Sequence, residues 1–282
     1  AFKFQSQGNI SEAAKYYQYF INQGFKDHRI FSNYGSILSD LGKLQDAELL
    51  TRKAIEIKPN FAVGHYNLGN ILKDIGKLKE AELSYRKAIE IKPDFAEAHS
   101  NLGIILKDIG NLQDAEISLR KAIELKSDYA DAHLNLGNIL RDLGNLKEAE
   151  LSTRKAIQLN PDLAQAHLNL GIIFKDLGKS KEAEKLLLKA IALDPKYAEA
   201  HYNYSFILLE RKQFREGWSK YEWRWKVRNL NLTIGNRLET TKSEWSPDKK
   251  GRVLLWAEQG PGDQLLYLTL IPDFMDRVNK LI

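Results

Sequence analysis

Apolar positions recur along most of the chain with the period of an amphipathic helix, and the helical stretches come in pairs. Residues 62–75 put His65, Leu68, Gly69 and Leu72 on one stripe. The spacing predicts a helix ended by Gly76, since glycine accepts a left-handed φ without penalty. Residues 78–91 put Leu78, Ala81, Tyr85, Ala88 and Ile89 on a second stripe, and Pro93 closes the pair. Small residues such as Gly69 and Ala81 let the two helices approach closely. The pair then repeats: Gly8, Gly42, Gly76, Gly110, Gly144 and Gly178 are each 34 residues apart. His65, His99, His133, His167 and His201 keep the same interval; Pro59, Pro93, Pro161 and Pro195 mark repeat ends, with Ser127 in place of the missing proline. Such a period predicts a stack of helix-turn-helix repeats, each burying its apolar stripe against its neighbours. The first repeat, from Gly8 to Gly24, is half a repeat or a worn one. The last, from Ala198 to about Trp225, has Ser205 for the usual glycine and Gly217 for the usual alanine, a departure expected of capping repeats.

At 100° per residue, positions four, seven, eight and eleven of each first helix form the packed face, and positions two, six, nine and thirteen fall opposite. The opposite face carries Val63, Asn67, Asn70 and Asp74; then Glu97, Asn101, Ile104 and Asp108; then Asp131, Asn135, Asn138 and Asp142; then Gln165, Asn169, Ile172 and Asp176. With Asn33 and Asn203 the asparagines form a row, and with Asp40 the aspartates form a second. Carboxamides offer both a donor and an acceptor. Stacked helices repeat about every 10 Å, close to three residues of extended chain. An asparagine row at that spacing holds the backbone of an extended peptide, or else bonds the neighbouring repeat. The aspartates stand in the last turn of their helices, where the helix dipole disfavours negative charge. They serve a basic ligand, or else pair with Lys73, Lys107, Arg141 and Lys175. Histidines spaced about 10 Å apart cannot share one ion with ligand bonds near ~2.1 Å, so they read as packed core and no metal is expected.

A 34-residue helix-turn-helix carrying Leu68-Gly69, Gly76, Ala81, Ala88 and Pro93 resembles the tetratricopeptide repeat over residues 1–225, with His65 and its equivalents where that family often has tryptophan. The resemblance implies a right-handed all-α superhelix whose first helices line the inner surface. The combination of histidine, asparagine and Leu-Gly looks most like the repeats of protein O-GlcNAc transferases, in which an asparagine ladder binds substrate backbone.

From Gln213 the sequence changes character. Residues 211–228 carry seven basic and two acidic side chains among Trp218, Tyr221, Trp223 and Trp225. They read as an amphipathic closing helix whose aromatics cap the core, in preference to a nucleic-acid surface. Residues 229–250 read as a linker. Residues 251–282 read as the incomplete start of an α/β domain: a strand over 252–257, a turn over Glu258–Asp263, a helix with Asp263 as N-cap, and a following strand near Val278. Gly217-Trp218, Tyr221 to Trp225, Trp245 to Pro247 and Leu255 to Asp263 together resemble bacterial proteins that join tetratricopeptide repeats to a heptosyltransferase-like, Rossmann-like domain. That resemblance implies Asp263 as a general base, or else Asp263 is a simple cap. The expected domain has room here for only its first residues, so enzyme activity and a sugar nucleotide belong to a longer parent chain, if to any.

Composition narrows the classes. The net charge of +5 comes from 42 basic and 37 acidic residues, with most of the excess after residue 205, so the chain as a whole does not read as a nucleic-acid binder. Cysteine is absent, which excludes disulfides, thiolate nucleophiles and cysteine-based zinc sites. No run of ~18 apolar residues spans a membrane, and no secretory signal opens the sequence, which points to the cytoplasm. The repeats hold no His-Glu-x-x-His, no Walker loop and no Gly-x-Ser-x-Gly. The expectation is a scaffold that binds a protein or peptide segment without a cofactor, the alternative being the acceptor-recognition arm of a glycosyltransferase.

Overall fold

The computed structural model describes residues 1–227, 252–253 and 280–281. The chain divides into two compact bodies, Ala1–Ala183 and Glu184–Ile282. The first holds α1 (Phe2–Ser6), α2 (Ile10–Asn22), α3 (His28–Asp40), α4 (Leu44–Ile57), α5 (Ala62–Ile75), α6 (Leu78–Ile91), α7 (Ala96–Asp108), α8 (Leu112–Leu125), α9 (Ala130–Asp142), α10 (Leu146–Leu159) and α11 (Ala164–Asp176). The border falls inside α12 (Ser180–Leu193), and the second body continues with α13 (Ala198–Glu210), α14 (Phe214–Tyr221) and a 3-10 helix, Glu222–Lys226. The fold is an all-helical solenoid of paired helices, as the period predicts.

The local causes repeat from pair to pair. Gly76 ends α5 at φ 87°, in the left-handed region, and its N–H bonds the α5 carbonyls. The second helices α4, α6, α8 and α10 each end on one residue near the extended region before the next turn: Lys58 (φ −137°, ψ 89°), Lys92 (−133°, 88°), Lys126 (−144°, 89°) and Asn160 (−138°, 93°). Ala81, Ala88, Ala115, Ala122, Ala149 and Ala156 of the second helices are fully buried. Ala81, Ala115, Ala122 and Ala149 share a core with Leu72, Leu106 and Leu140 of the first helices, each about 1% exposed or less. Burying side chains of that size contributes roughly 1.5–3 kcal/mol each. Close approach depends on the glycine at position eight: a Cβ on Gly69 would stand 2.6 Å from the Tyr85 ring, and one on Gly103 would stand 2.7 Å from Leu119 and 3.1 Å from the Ala115 carbonyl oxygen.

In the second body the small residue changes helix. Ser205 is fully buried, with its hydroxyl donating to the Tyr202 carbonyl at 2.6 Å, while Gly217 now lies where a Cβ would meet Leu209 at 2.7 Å. The closing helix is shorter than expected. It stops at Tyr221, and the residues after it tighten into the 3-10 turn that brings Trp223 flat against His201, ring centroids 4.1 Å apart.

The expected Rossmann-like start is not established. Arg252–Val253 and Lys280–Leu281 pair in parallel, Arg252 opposite Lys280, but two residues per strand do not make a doubly wound sheet. The linker 229–250 and the Glu258–Asp263 turn, Asp263 included, lie outside the described residues.

Candidate functional site

The asparagine row is built by position six of each first helix, which the 34-residue period returns to the same place on each. Within the first body four of the five carboxamides, all but that of Asn135, spend an N–H on the preceding repeat. Asn33 donates to the Tyr17 hydroxyl at 3.1 Å, and Asn67 to the Ser32 hydroxyl at 3.2 Å. Asn101 donates to the Asn70 carboxamide oxygen at 2.9 Å and to the Tyr66 hydroxyl at 3.2 Å. Asn169, 7% exposed, donates to the Asn138 oxygen at 2.6 Å. Asn135 has no such partner among the described residues; the residue 31 positions before it is Ile104 rather than asparagine. In the second body Asn203 turns to the Glu199 carbonyl of its own helix at 2.8 Å.

The bond to the neighbouring repeat accounts for one side of the row. The N–H side of most carboxamides is structural. None of the position-six oxygens accepts a hydrogen bond from a described residue, and none is both buried and unpartnered. Asn70 plays a second part, accepting from the Tyr85 hydroxyl at 2.7 Å. Tyr85 reaches that oxygen past the bare Cα of Gly69, and burial holds its phenol well above the usual tyrosine range.

The aspartates Asp40, Asp74, Asp108, Asp142 and Asp176 are all exposed. Asp142 pairs with Arg141 at 3.0 Å and with Lys107 at 3.4 Å. Asp74 reaches only the outer limit of an ion pair, 4.0 Å from Lys73. Asp40, Asp108 and Asp176 carry no ion pair among the described residues.

The histidines do something the sequence pattern does not disclose. Each donates Nε2–H to the carbonyl six residues earlier: His65 to Pro59 and His99 to Pro93 at 3.0 Å, His133 to Ser127 at 3.1 Å, His167 to Pro161 at 2.8 Å, and His201 to Pro195 at 3.0 Å. His167 and His201 are buried, whereas His65, His99 and His133 are half-buried, so the expectation of a fully packed core residue holds for two of the five. Backbone carbonyls accept regardless of side chain, which is why Ser127 replaces proline without loss of the bond. In the second body Lys220 approaches His201 Nδ1 at 3.4 Å, and burial, with Lys220 and Lys226 nearby, holds the imidazole below its ordinary range. Lys226 covers the other ring of the stack, Nζ 4.1 Å from the Trp223 centroid. Among the described residues no group of histidine and carboxylate side chains is arranged to hold a metal.

A feature missed at the level of single repeats is an alternation with a period of two. Position nine reads Ser36, Asn70, Ile104, Asn138, Ile172. On the second helices α4 to α10, Gln45-Asp46, Lys79-Glu80, Gln113-Asp114 and Lys147-Glu148 alternate likewise, and Lys181-Glu182 of α12 ends the alternation. Arg52 reaches Glu80 at 3.0 Å and Arg120 reaches Glu148 at 2.6 Å, while Arg86, opposite the shorter Asp114, bonds Glu82 of its own helix. A comparison of repeats 68 residues apart is the signal that reveals it.

A separate open cleft of about 390 Å³ is lined by Arg52, Ile55, His65, Leu68, Leu83 and Lys87. It takes in none of the position-six asparagines.

Comparison with known proteins agrees with the repeat geometry. Family models described as TPR repeat or tetratricopeptide repeat match residues 28–61, 50–82, 69–110, 96–129, 137–178, 164–197 and 186–218. No curated protein matches significantly. Among solved structures, YrrB, a TPR protein with an unusual peptide-binding site, is 25% identical at TM-score 0.55, over 66% of this chain and 96% of that one. The MamA protein is 28% identical at TM-score 0.53, over 61% of this chain and 94% of that one. PilF of Pseudomonas aeruginosa, 18% identical at TM-score 0.62 over 78% of this chain and 94% of that one, shares the fold. Most of the chain is thus matched repeat by repeat, and it belongs to the tetratricopeptide repeat family.

Proposed function

We propose that the first body is a protein-interaction scaffold whose asparagine-lined face holds an extended polypeptide segment. The observation that carries this reading is the division of labour within each carboxamide. The N–H groups tie repeat to repeat and so fix the row, and the oxygens remain open as acceptors for ligand N–H groups. Asn135 keeps its N–H groups as well and offers a complete backbone clamp. First helices of successive repeats pack on one another, α3 on α5, α7 on α9 and α9 on α11, and no pair of second helices makes comparable contact among the described residues. The face lined by first helices is accordingly read as the inner, concave one. Resemblance to a solved TPR protein with a peptide-binding site supports the same role.

The test is selection of 12-residue peptides from a random library on the immobilised chain, followed by fluorescence anisotropy. Backbone N-methylation at the centre of a selected peptide should weaken binding by about tenfold, the loss of one or two hydrogen bonds. Asn101→Ala and Asn135→Ala should do likewise. Full affinity in the double variant would overturn the reading.

A second reading makes the repeats the acceptor-recognition arm of a larger sugar-nucleotide-dependent transferase, with Asp263 as base. The parallel pairing of Arg252–Val253 with Lys280–Leu281 is the described feature that favours it. Sugar transfer by the protein from its native source, lost in Asp263→Asn, is the result it requires.

A further inference from the structure

We infer that the groove of the first body reads its ligand with a period of two repeats, selecting an extended segment whose aliphatic side chains recur every six residues with a basic residue beside each. This inference rests on the peptide-binding reading above and specifies its ligand.

The groove is not uniform. Repeats 62–95 and 130–163 present Asn70 and Asn138, whose oxygens are taken by Asn101 and Asn169. Repeats 96–129 and 164–197 present the half-buried aliphatic side chains Ile104 and Ile172 at the same place. The charge alternates in step. Asp142, beside Asn138, is neutralised by Lys107 and Arg141, and Asp74, beside Asn70, is within 4.0 Å of Lys73. Asp108 and Asp176, one helical turn beyond Ile104 and Ile172, have no ion pair among the described residues. An aliphatic contact beside a carboxylate with no ion pair among the described residues therefore appears in repeats 96–129 and 164–197, with the polar Asn138 patch between them.

Two repeats span about 20 Å at the packing distance of stacked helices. An extended chain advances about 3.3 Å per residue, so the two aliphatic contacts fall about six residues apart on the ligand. Six is even, which keeps both side chains on the same side of an extended strand; five or seven would turn one of them away. Asn135, the carboxamide without a partner among the described residues, lies in the repeat between the two contacts, where the ligand backbone must cross.

The test uses synthetic 13-residue peptides of serine, threonine and lysine carrying two leucines at positions i and i+5, i+6 or i+7, titrated against the whole chain by fluorescence anisotropy. Six-residue spacing should bind about tenfold more tightly than five or seven, the usual discrimination of an apolar contact. Replacing lysine by glutamine in the six-spaced peptide should lower affinity, and raised salt should narrow that difference. Ile104→Asn should remove the preference for spacing. It should fold, because it recreates the arrangement of Asn70 and hands Asn135 an acceptor; Ile104→Ser, which copies Ser36, is the second variant. Binding that ignores spacing overturns this inference and leaves the peptide-binding reading standing. No binding by any of these peptides overturns both.

Discussion

The Asn169 carboxamide donates to that of Asn138 across 2.6 Å, from one repeat to the one before it, at a site where Asn169 is 7% exposed. Removing the acceptor leaves a buried donor with nothing to bond. Asn138→Ala should therefore cost roughly 1–3 kcal/mol, whereas Asn135→Ala, which breaks no side-chain bond to a described residue, should cost less than about 0.5 kcal/mol. Urea midpoints of the two variants measure the difference, with amide exchange in α9 and α11 locating it. Equal losses would mean that the cross-repeat bond carries no weight.

Gly103 faces both a leucine side chain and a backbone carbonyl, and the carbonyl cannot move aside without bending α8. Gly103→Ala should destabilise by about 1–3 kcal/mol through overpacking. Gly110→Ala meets open space but must adopt φ 87°, so its loss should stay near 1 kcal/mol. Thermal unfolding of both variants would show whether space or backbone conformation dominates.

His201 is held neutral by burial and by the lysines facing it, Lys220 and Lys226, with Asp194 the opposing carboxylate. Its folded pKa lies below the unfolded value near 6.5. The stabilisation is thus complete above about pH 6.5, declines as pH falls below it, and levels off below the depressed folded value. Unfolding of the second body, followed by tryptophan fluorescence between pH 8 and 5, should show this decline, and His201→Gln should flatten it.

Asp27 caps α3 by accepting from the Arg29 N–H at 2.9 Å. The Arg29 guanidinium bonds the same carboxylate and brings its pKa down to about 2. The folded value is depressed, so the contribution is present above the ordinary carboxylate range and disappears as pH falls from about 4 to 2. Asp27→Ala should cost about 1 kcal/mol at neutral pH and nothing further at pH 2; acid titration of helicity in the two proteins compares them.

If the face of the first helices binds basic segments, Asp108→Asn with Asp176→Asn should weaken a lysine-containing peptide several-fold and leave a neutral peptide of the same length unaffected. Anisotropy at low salt distinguishes the two, because exposed charges are screened within about 10 Å at 0.1 M. A loss shared by both peptides would point to a structural role for the carboxylates.

Much of this architecture is legible in the residues. The stripe from His65 to Leu72 and the glycine after it place α5 at Ala62–Ile75, and Leu78 to Ile89 place α6. Period, glycine and proline are local signals, and the helices obey them. The asparagine row is equally visible, but not which atom of each carboxamide is spent, since that depends on side chains 16 to 35 positions back in the preceding repeat. The histidine tether escapes for a similar reason: imidazole on an inward stripe looks apolar until the carbonyl it bonds is brought alongside. The 3-10 turn after Tyr221 lies beyond the periodic region, where aromatic stacking on His201 decides the backbone.

The bond from each histidine to the carbonyl six residues earlier makes the connecting turn part of the helix that follows it. Between each tethered turn and the second helix before it in the first body stands one residue near the extended region, Lys58, Lys92, Lys126 or Asn160. If the array bends at those four joints, a few degrees of ψ at each would add along its length. Elastic adjustment to a longer or shorter guest would then be read out at three lysines and one asparagine, none of which belongs to the asparagine row itself.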